Sequence, residues 1–207
     1  MLWPMDGAPL HFYFDFISPY GYFASLRIEE LAARHGREVE WHTMLLGVSV
    51  LKVMGLKPLL DTPLKGDYVK GDVKRYARKH GIPLGRDLDA PVGNPLPAAR
   101  AFCWVKEHHP HLQAPMAQAL YRAYWAEGRD LSTPESLADI DLPPGMDPSW
   151  IESGARSEFA ATLLRREVDA SLRSGVFGSP TVIVDGEMFW GVEGLADVEE
   201  WLERGGW

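Results

Sequence analysis

Strand-forming runs occur only at the two ends of this chain, and that division limits its fold more than any other feature. Near the N-terminus, Leu10 to Phe16 alternates well enough for a strand, and Val39 to Leu45 ("VEWHTML") reads as a second. Near the C-terminus, Thr181 to Val184 and Glu187 to Trp190 flank Asp185-Gly186, the strongest short hairpin signal. From Gly47 to about Arg156 no convincing strand is found. In 207 residues, that leaves one domain carrying a long helical insertion.

Helix signals fill the rest. Ser18-Pro19 starts a helix twice over, because Ser is a favoured cap and Pro suits the first helical position. Tyr20, Phe23, Ala24, Ile28, Leu31 and Ala32 give it one apolar face, and Gly36 stops it. A strand, a helix and a strand in that order predict parallel pairing with a right-handed crossover. The middle reads as helices over Asp67 to His80, Leu96 to His108, Pro115 to Glu127 and Thr133 to Ala138. Loops are expected at "KPLLDTPLKG", "DAPVGNPLP" and "DLPPGMDPS". Glu158 to Ser174 and Leu195 to Arg204 are the closing helices. The order β-α-β, helical block, α-β-β-α predicts an α/β, thioredoxin-like fold, discontinuous over 8–46 and 157–207. The helical insertion occupies 47–156.

A net charge of −8 with dispersed acids disfavours nucleic acid as the main partner, since phosphate neutralisation needs clustered Lys and Arg. The densest basic stretch, Lys70 to Lys79, contains Asp72 and reads as a solvated helix face. No run approaches the roughly 20 apolar residues of a membrane span. The start "MLWPMDGAPL" lacks the basic and apolar regions of a secretory leader. A single cysteine, Cys103, excludes an internal disulfide and points to a reducing compartment, so a cytoplasmic protein is expected.

In thioredoxin-like oxidoreductases the turn after the first strand carries Cys-x-x-Cys. Here those positions hold Ser18 and Gly21. Ser18 has two readings. It is an ordinary helix cap, or its hydroxyl and the helix start hold a docked thiolate and lower its pKa. Ser179-Pro180 is likewise either a plain strand-entry proline or a cis-proline facing the Ser18 turn, leaving backbone free for an extended ligand. Asp15 orients the site or simply ends a strand. Tyr68, Asp72 and Arg75 share one helix face, as ligand contacts or as an ion-paired surface. Asn94 shapes a turn or touches ligand. "EHHPH" (His108, His109, His111) has no second cluster to complete a metal site, and no metal is expected. Cys103, between Phe102 and Trp104, reads as a small buried residue.

Three stretches, "FYFDFISPYGYFAS", "PLKGDYVKGDVKRYARKHGIP" and "GVFGSPTVIVDGEMFWG", resemble 2-hydroxychromene-2-carboxylate isomerases. These are relatives of kappa-class glutathione transferases in the DsbA-like group, and the resemblance runs from about His11 to Trp201. It implies glutathione as cofactor, a homodimer, and a small aromatic 2-oxo acid as substrate. By the same resemblance Ser18 contacts the glutathione sulfur and Lys65 pairs with a glutathione carboxylate. The backbone of Ser179, before Pro180, pairs with the cysteinyl part, and Val192 and Glu193 hold the γ-glutamyl end. Where the family reads Phe-Gly-x-Asp-Arg, this chain has Trp190-Gly191-Val192-Glu193-Gly194, and Leu56 stands where many relatives have Asn. Those departures leave room for another low-molecular-weight thiol. The implied activity is a glutathione-dependent isomerisation by reversible thiolate addition, with Ser18 as the catalytic side chain. The alternatives are a kappa-like transferase or peroxidase and a non-catalytic thioredoxin-like binding module.

Overall fold

The computed structural model describes residues 7–207. The absence of a leader was read mainly from residues 1–6, which lie outside the described residues.

Strand β1 (Leu10–Phe14) pairs in parallel with β2 (Val39–Thr43), as the helical crossover requires. Strands β3 (Thr181–Val184) and β4 (Glu187–Trp190) complete a four-stranded sheet in the order β2-β1-β3-β4, with β3 antiparallel to both its neighbours. Asp185 and Gly186 turn between them with φ of 52° and 90°, the left-handed pair that a two-residue hairpin demands. Alternation divides the sheet into two faces. Leu10, Phe12, Phe14, Val39, Trp41 and Thr43 are buried on one, and His11, Tyr13, Glu40 and His42 occupy the other.

The crossover is two helices, not one. Helix α1 (Pro19–Ser25) ends before α2 (Ile28–Arg34), although the apolar spacing continues through both. The Ser25 carbonyl accepts from the Gln118 amide at 3.1 Å, and the Ser25 hydroxyl turns back to the Tyr22 carbonyl at 2.6 Å. A carbonyl held from outside and a competing side chain end a helix locally. Gly36 follows with φ of 65°.

Residues 47–156 contain no strand. Irregular turns at Gly47–Val53 and Leu59–Asp61 lead into α3 (Lys65–His80), closed by left-handed Gly81. Helix α4 (Leu96–His108) has the predicted bounds. Helix α5 (Gln113–Tyr121) runs on as a wider π-turn over Arg122–Ala126. The helix predicted from Thr133 is only a 3-10 turn, Glu135–Leu137, although Thr133 Oγ1 accepts from the Ser136 N–H as a cap would. Helix α6 (Pro148–Arg156) lies partly in a stretch read as loop, and Asp147 caps it through the Ser149 N–H at 2.9 Å. Gly154 lets it approach α4, because a Cβ there would press on Trp104 and Ala101.

Helices α7 (Glu158–Arg173) and α8 (Gly194–Arg204) close the chain. The insertion packs on the sheet: Phe14 meets Phe102 of α4 edge-on at 5.2 Å and Tyr121 of α5 at 5.7 Å. A large continuous core results, with a small second cluster of Tyr13, Met44 and Val176 on the other sheet face. No helix among the described residues is long and apolar enough to cross a membrane.

Candidate active site

The end of β1 is polar and yet largely buried, so most of its hydrogen bonds are made inside the protein. Ser18 caps α1, its Oγ accepting from the Gly21 N–H at 3.0 Å. The same hydroxyl donates to the Ser179 carbonyl at 2.8 Å. The Ser179-Pro180 peptide is cis, which turns the segment before β3 towards the start of α1. The Ser179 hydroxyl accepts from the Asp15 N–H at 3.0 Å. Two residues 161 positions apart thus share one hydrogen bond at the sheet's end.

Asp15 lies beneath this pair. Its carboxylate accepts from the Leu46 N–H at 2.8 Å and the Ile17 N–H at 3.3 Å, and its carbonyl accepts from the Tyr121 hydroxyl at 2.9 Å. Burial pushes the carboxyl up to about 6, and its bonds to the backbone of Leu46, Ile17 and Phe16 oppose the rise. Burial, then the neighbouring Asp15 carboxyl, raise the Tyr121 phenol well above its usual range, so it is a neutral donor. Trp125 donates its indole N–H to the Phe16 carbonyl at 2.9 Å. The insertion therefore supports the Ser18 turn from below. Sequence reasoning missed Tyr121 and Trp125. The signal was the aromatic spacing of "YRAYW", which repeats at i and i+4 on one helix.

The second position of the lost Cys-x-x-Cys is physically closed. A Cβ on Gly21 would overlap the Tyr121 hydroxyl and lie 2.8 Å from Ser179 Oγ. Cys103 offers no replacement: it is buried, 3.3 Å from Thr43 Oγ1, and burial raises its thiol to about 12.

Among the described residues, the N–H groups of Tyr20 in the first turn of α1 and of Ser179 carry no hydrogen-bond partner. The Ser179 carbonyl, expected to be free, is taken by Ser18. A thiolate docked here would draw the Ser18 proton away from that carbonyl, exchanging a neutral hydrogen bond for a charge-assisted one of roughly twice the strength. At seven residues, α1 is too short for its dipole to add much, so the hydroxyl and the free N–H groups carry the site.

The other expected contacts are distributed unevenly. Gly191 N–H bonds the Pro180 carbonyl at 2.9 Å, which brings buried Val192 beside the cis-proline turn. Glu193 is exposed at the start of α8. Lys65 is exposed in the first turn of α3, and no hydrogen bond or ion pair among the described residues ties it to the Ser18 group. Helix α3 is nevertheless docked on α1, because the Tyr20 hydroxyl donates to Asp72 at 2.7 Å and Tyr76 stacks on Phe23 at 4.7 Å. Asp72 also pairs with Arg75 at 2.7 Å, and Arg75 sits over the Tyr68 ring. That face is an ion-paired network joined to α1. Asn94 caps α4 by accepting from the Leu96 N–H at 3.1 Å. His108 and His109 stack on Trp104 and Trp150, as surface aromatics and not as a ligand set.

The comparisons agree with the fold. A family model described as DSBA-like thioredoxin domain matches residues 9–203. A 2-hydroxychromene-2-carboxylate isomerase of Pseudomonas putida is 29% identical, with 93% of each chain covered. Glutathione S-transferase kappa 1 of Homo sapiens is 25% identical over 84% of this chain and 81% of its own. A solved 2-hydroxychromene-2-carboxylate isomerase superposes with a TM-score of 0.75 at 26% identity, covering 94% of each chain.

Proposed function

The chain belongs to the DSBA-like thioredoxin family, and from that premise we propose that it is a glutathione-dependent isomerase of 2-hydroxychromene-2-carboxylate-like aromatic acids. One observation carries the reading. The Ser18 hydroxyl is held between the Gly21 N–H and the Ser179 carbonyl, where a redox protein of this family keeps its first cysteine, while the second position is filled by the Tyr121 hydroxyl. Such a site has a place for one sulfur and none for a disulfide, so the sulfur comes from a bound thiol. When bound, glutathione supplies a thiolate nucleophile that can add to a conjugated carbon and leave again unchanged.

The protein's part is positioning and charge. Ser18 turns its proton from the Ser179 carbonyl to the sulfur. The N–H of Tyr20 is a second donor, and the N–H and freed carbonyl of Ser179, held in place by cis Pro180, pair with the cysteinyl segment. Val192 and Glu193 flank the γ-glutamyl end, and Lys65 attracts a carboxylate of the tripeptide. The insertion over 47–156 covers the substrate ring, the protein works as a homodimer in a reducing cytoplasm, and another low-molecular-weight thiol replaces glutathione if the rim disfavours it. Similarity to the kappa transferase supports a second reading, in which the same thiolate is conjugated instead of returned. Product analysis separates the two, since only conjugation consumes glutathione.

The test is calorimetric titration with reduced glutathione, followed by ultraviolet titration of the bound thiolate in wild type and Ser18→Ala. We expect saturable binding and a bound thiol whose pKa rises by roughly 1 to 2 in the variant, the worth of one hydrogen bond to a charged group. The variant also loses a cap worth about 1 kcal/mol and stays folded. An unchanged thiolate titration would remove Ser18 from the chemistry.

A further inference from the structure

The sheet face opposite the core carries a second constellation that the thiol site does not use. His11 on β1 and Glu40 and His42 on β2 project from this face, and the parallel register sets His11 beside Glu40. Sequence inspection passed over them because 29 residues separate the first from the second; only strand pairing makes them neighbours.

Their ligand atoms form a compact triangle. His11 Nδ1 is 3.0 Å from His42 Nε2 and 3.4 Å from Glu40 Oε2, and His42 Nε2 is 3.7 Å from Glu40 Oε1. A tetrahedral ion with bonds of about 2.0–2.1 Å holds its ligands about 3.3 Å apart. The imidazole pair and its two contacts to Glu40, one to each carboxylate oxygen, all lie within about 0.4 Å of that spacing, so the group can close on such an ion by small side-chain shifts.

The nitrogens are also oriented for it. His42 Nδ1 lies 3.0 Å from Glu167 Oε2 of α7, and a carboxylate only accepts, so that nitrogen carries the proton and Nε2 is the acceptor that faces His11 Nδ1; a metal ion would take the place of the proton between those two nitrogens. A carboxylate behind a ligating imidazole is the usual support of a metal-bound histidine. Tyr13 stacks on the same ring at 4.7 Å and fixes its plane. Lys106 is the cation in contact with the group, and Arg166 and Arg173 line the cavity beside it. Lys106 is engaged by Glu167 at 2.9 Å and is 3.9 Å from Glu40 and 3.4 Å from His42 Nδ1. Glu167 and Glu40 share the one Lys106 ammonium, with Glu167 much the nearer, so the two carboxylates carry more negative charge than Lys106 offsets.

We propose that His11, Glu40 and His42 form a divalent transition-metal site of the zinc class, with Glu167 as the outer carboxylate that orients His42. Two imidazoles and one carboxylate are borderline ligands suited to zinc or cobalt and unsuited to the all-oxygen shells of calcium or magnesium. The fourth position falls to water. Glu40 and His42 line a cavity of about 660 Å³ between β2, α4 and α7, so exchange with solvent is open. The site ties β1 and β2 together from the side opposite Ser18.

Cobalt(II) and zinc(II) are the probes. Addition of Co²⁺ to metal-free protein is expected to give a visible tetrahedral spectrum that saturates at one equivalent, and Zn²⁺ is expected to displace it. His11→Ala and His42→Ala abolish the spectrum at concentrations that saturate wild type, Glu167→Gln weakens binding roughly 10- to 100-fold, and His109→Ala leaves it unchanged. Far-ultraviolet circular dichroism checks folding, and His11→Ala, on a half-exposed ring, decides the matter should His42→Ala fail to fold. Absence of a cobalt spectrum and of zinc heat at millimolar metal would overturn the proposal, as would binding that survives His11→Ala.

Discussion

The base and the rim of the candidate active site are built in opposite ways. At the base, Asp15, Ser18, Tyr121 and Ser179 are all buried, and apart from the Ser179 N–H their hydroxyls, carboxylate and polar backbone groups are hydrogen-bonded within the protein. At the rim, Lys65 is exposed, Leu64 is 91% exposed at a left-handed φ of 67°, and Val53, Leu56 and Leu59 all face outward. The base is fixed by the sheet, the cis-proline turn and α5. The rim hangs on irregular turns with few anchors, Ser49 and the close approach of Gly66 to Leu60 among them. Few buried contacts mean low local stability. Under the proposed function the difference divides the tasks: the base would set the chemistry a bound thiol performs, and the rim would set which thiol and which substrate enter.

The contrast breaks most severely at Gly21. If the base is closed, Gly21→Ala must displace the Tyr121 or Ser179 hydroxyl and costs about 3 kcal/mol, the upper end of overpacking penalties. The double variant Gly21→Ala with Tyr121→Phe removes the overlapping oxygen and recovers much of that loss. Urea denaturation of the four proteins measures the coupling. Simple additivity would mean that the base yields as easily as the rim.

The next test concerns water at the base. The Asp15 carboxyl normally titrates at 3.8 and is pushed to about 6 by burial. Between those values the folded chain holds a proton that the unfolded chain has released, so stability rises as pH falls from about 6 to about 4. The penalty is complete above pH 6 and absent below pH 4. The shift corresponds to roughly 3 kcal/mol across that window. Asp15→Asn cannot ionise, so the stability difference between wild type and variant should change with pH by that order, with neutral pH favouring Asn. The Asn amide nitrogen cannot accept, so at least one of the carboxylate's backbone bonds is lost, a constant offset of about 1 kcal/mol. A pH-independent difference would mean that Asp15 is as wet as the rim.

How much of this was legible in the sequence follows the same division. The Asp185-Gly186 hairpin, the Ser18 cap and α4 were readable because local residues decide them. Helix α6 escaped only because "DLPPGMDPS" looks like loop, although Asp147-Pro148 repeats the cap-and-proline signal of Ser18-Pro19. The break between α1 and α2 was not readable, since its cause is the Gln118 amide from a helix 93 positions away. The base was half legible. Ser18 and Ser179 stand out as serines before prolines, while Tyr121, which closes the second position, announces itself only as one aromatic among several. The histidine-glutamate triangle was invisible for the same reason, being made by strand register alone.

The smallest expected effect would sharpen the contrast. Leu56→Asn and Gly194→Arg restore two polar groups at the rim, and both positions can take them: Leu56 is 55% exposed, and a Cβ on Gly194 meets only Phe189 at an ordinary 3.6 Å. Two hydrogen bonds at about 0.5–1.5 kcal/mol each tighten glutathione about tenfold by calorimetry. The thiolate pKa should stay where it was, because neither side chain reaches the base. Tightening together with a shifted pKa would mean that rim and base act as one unit. No tightening would mean that the thiol's carboxylates run elsewhere, with Lys65 outside their path; the base would keep its chemistry and the rim would have been assigned the wrong ligand.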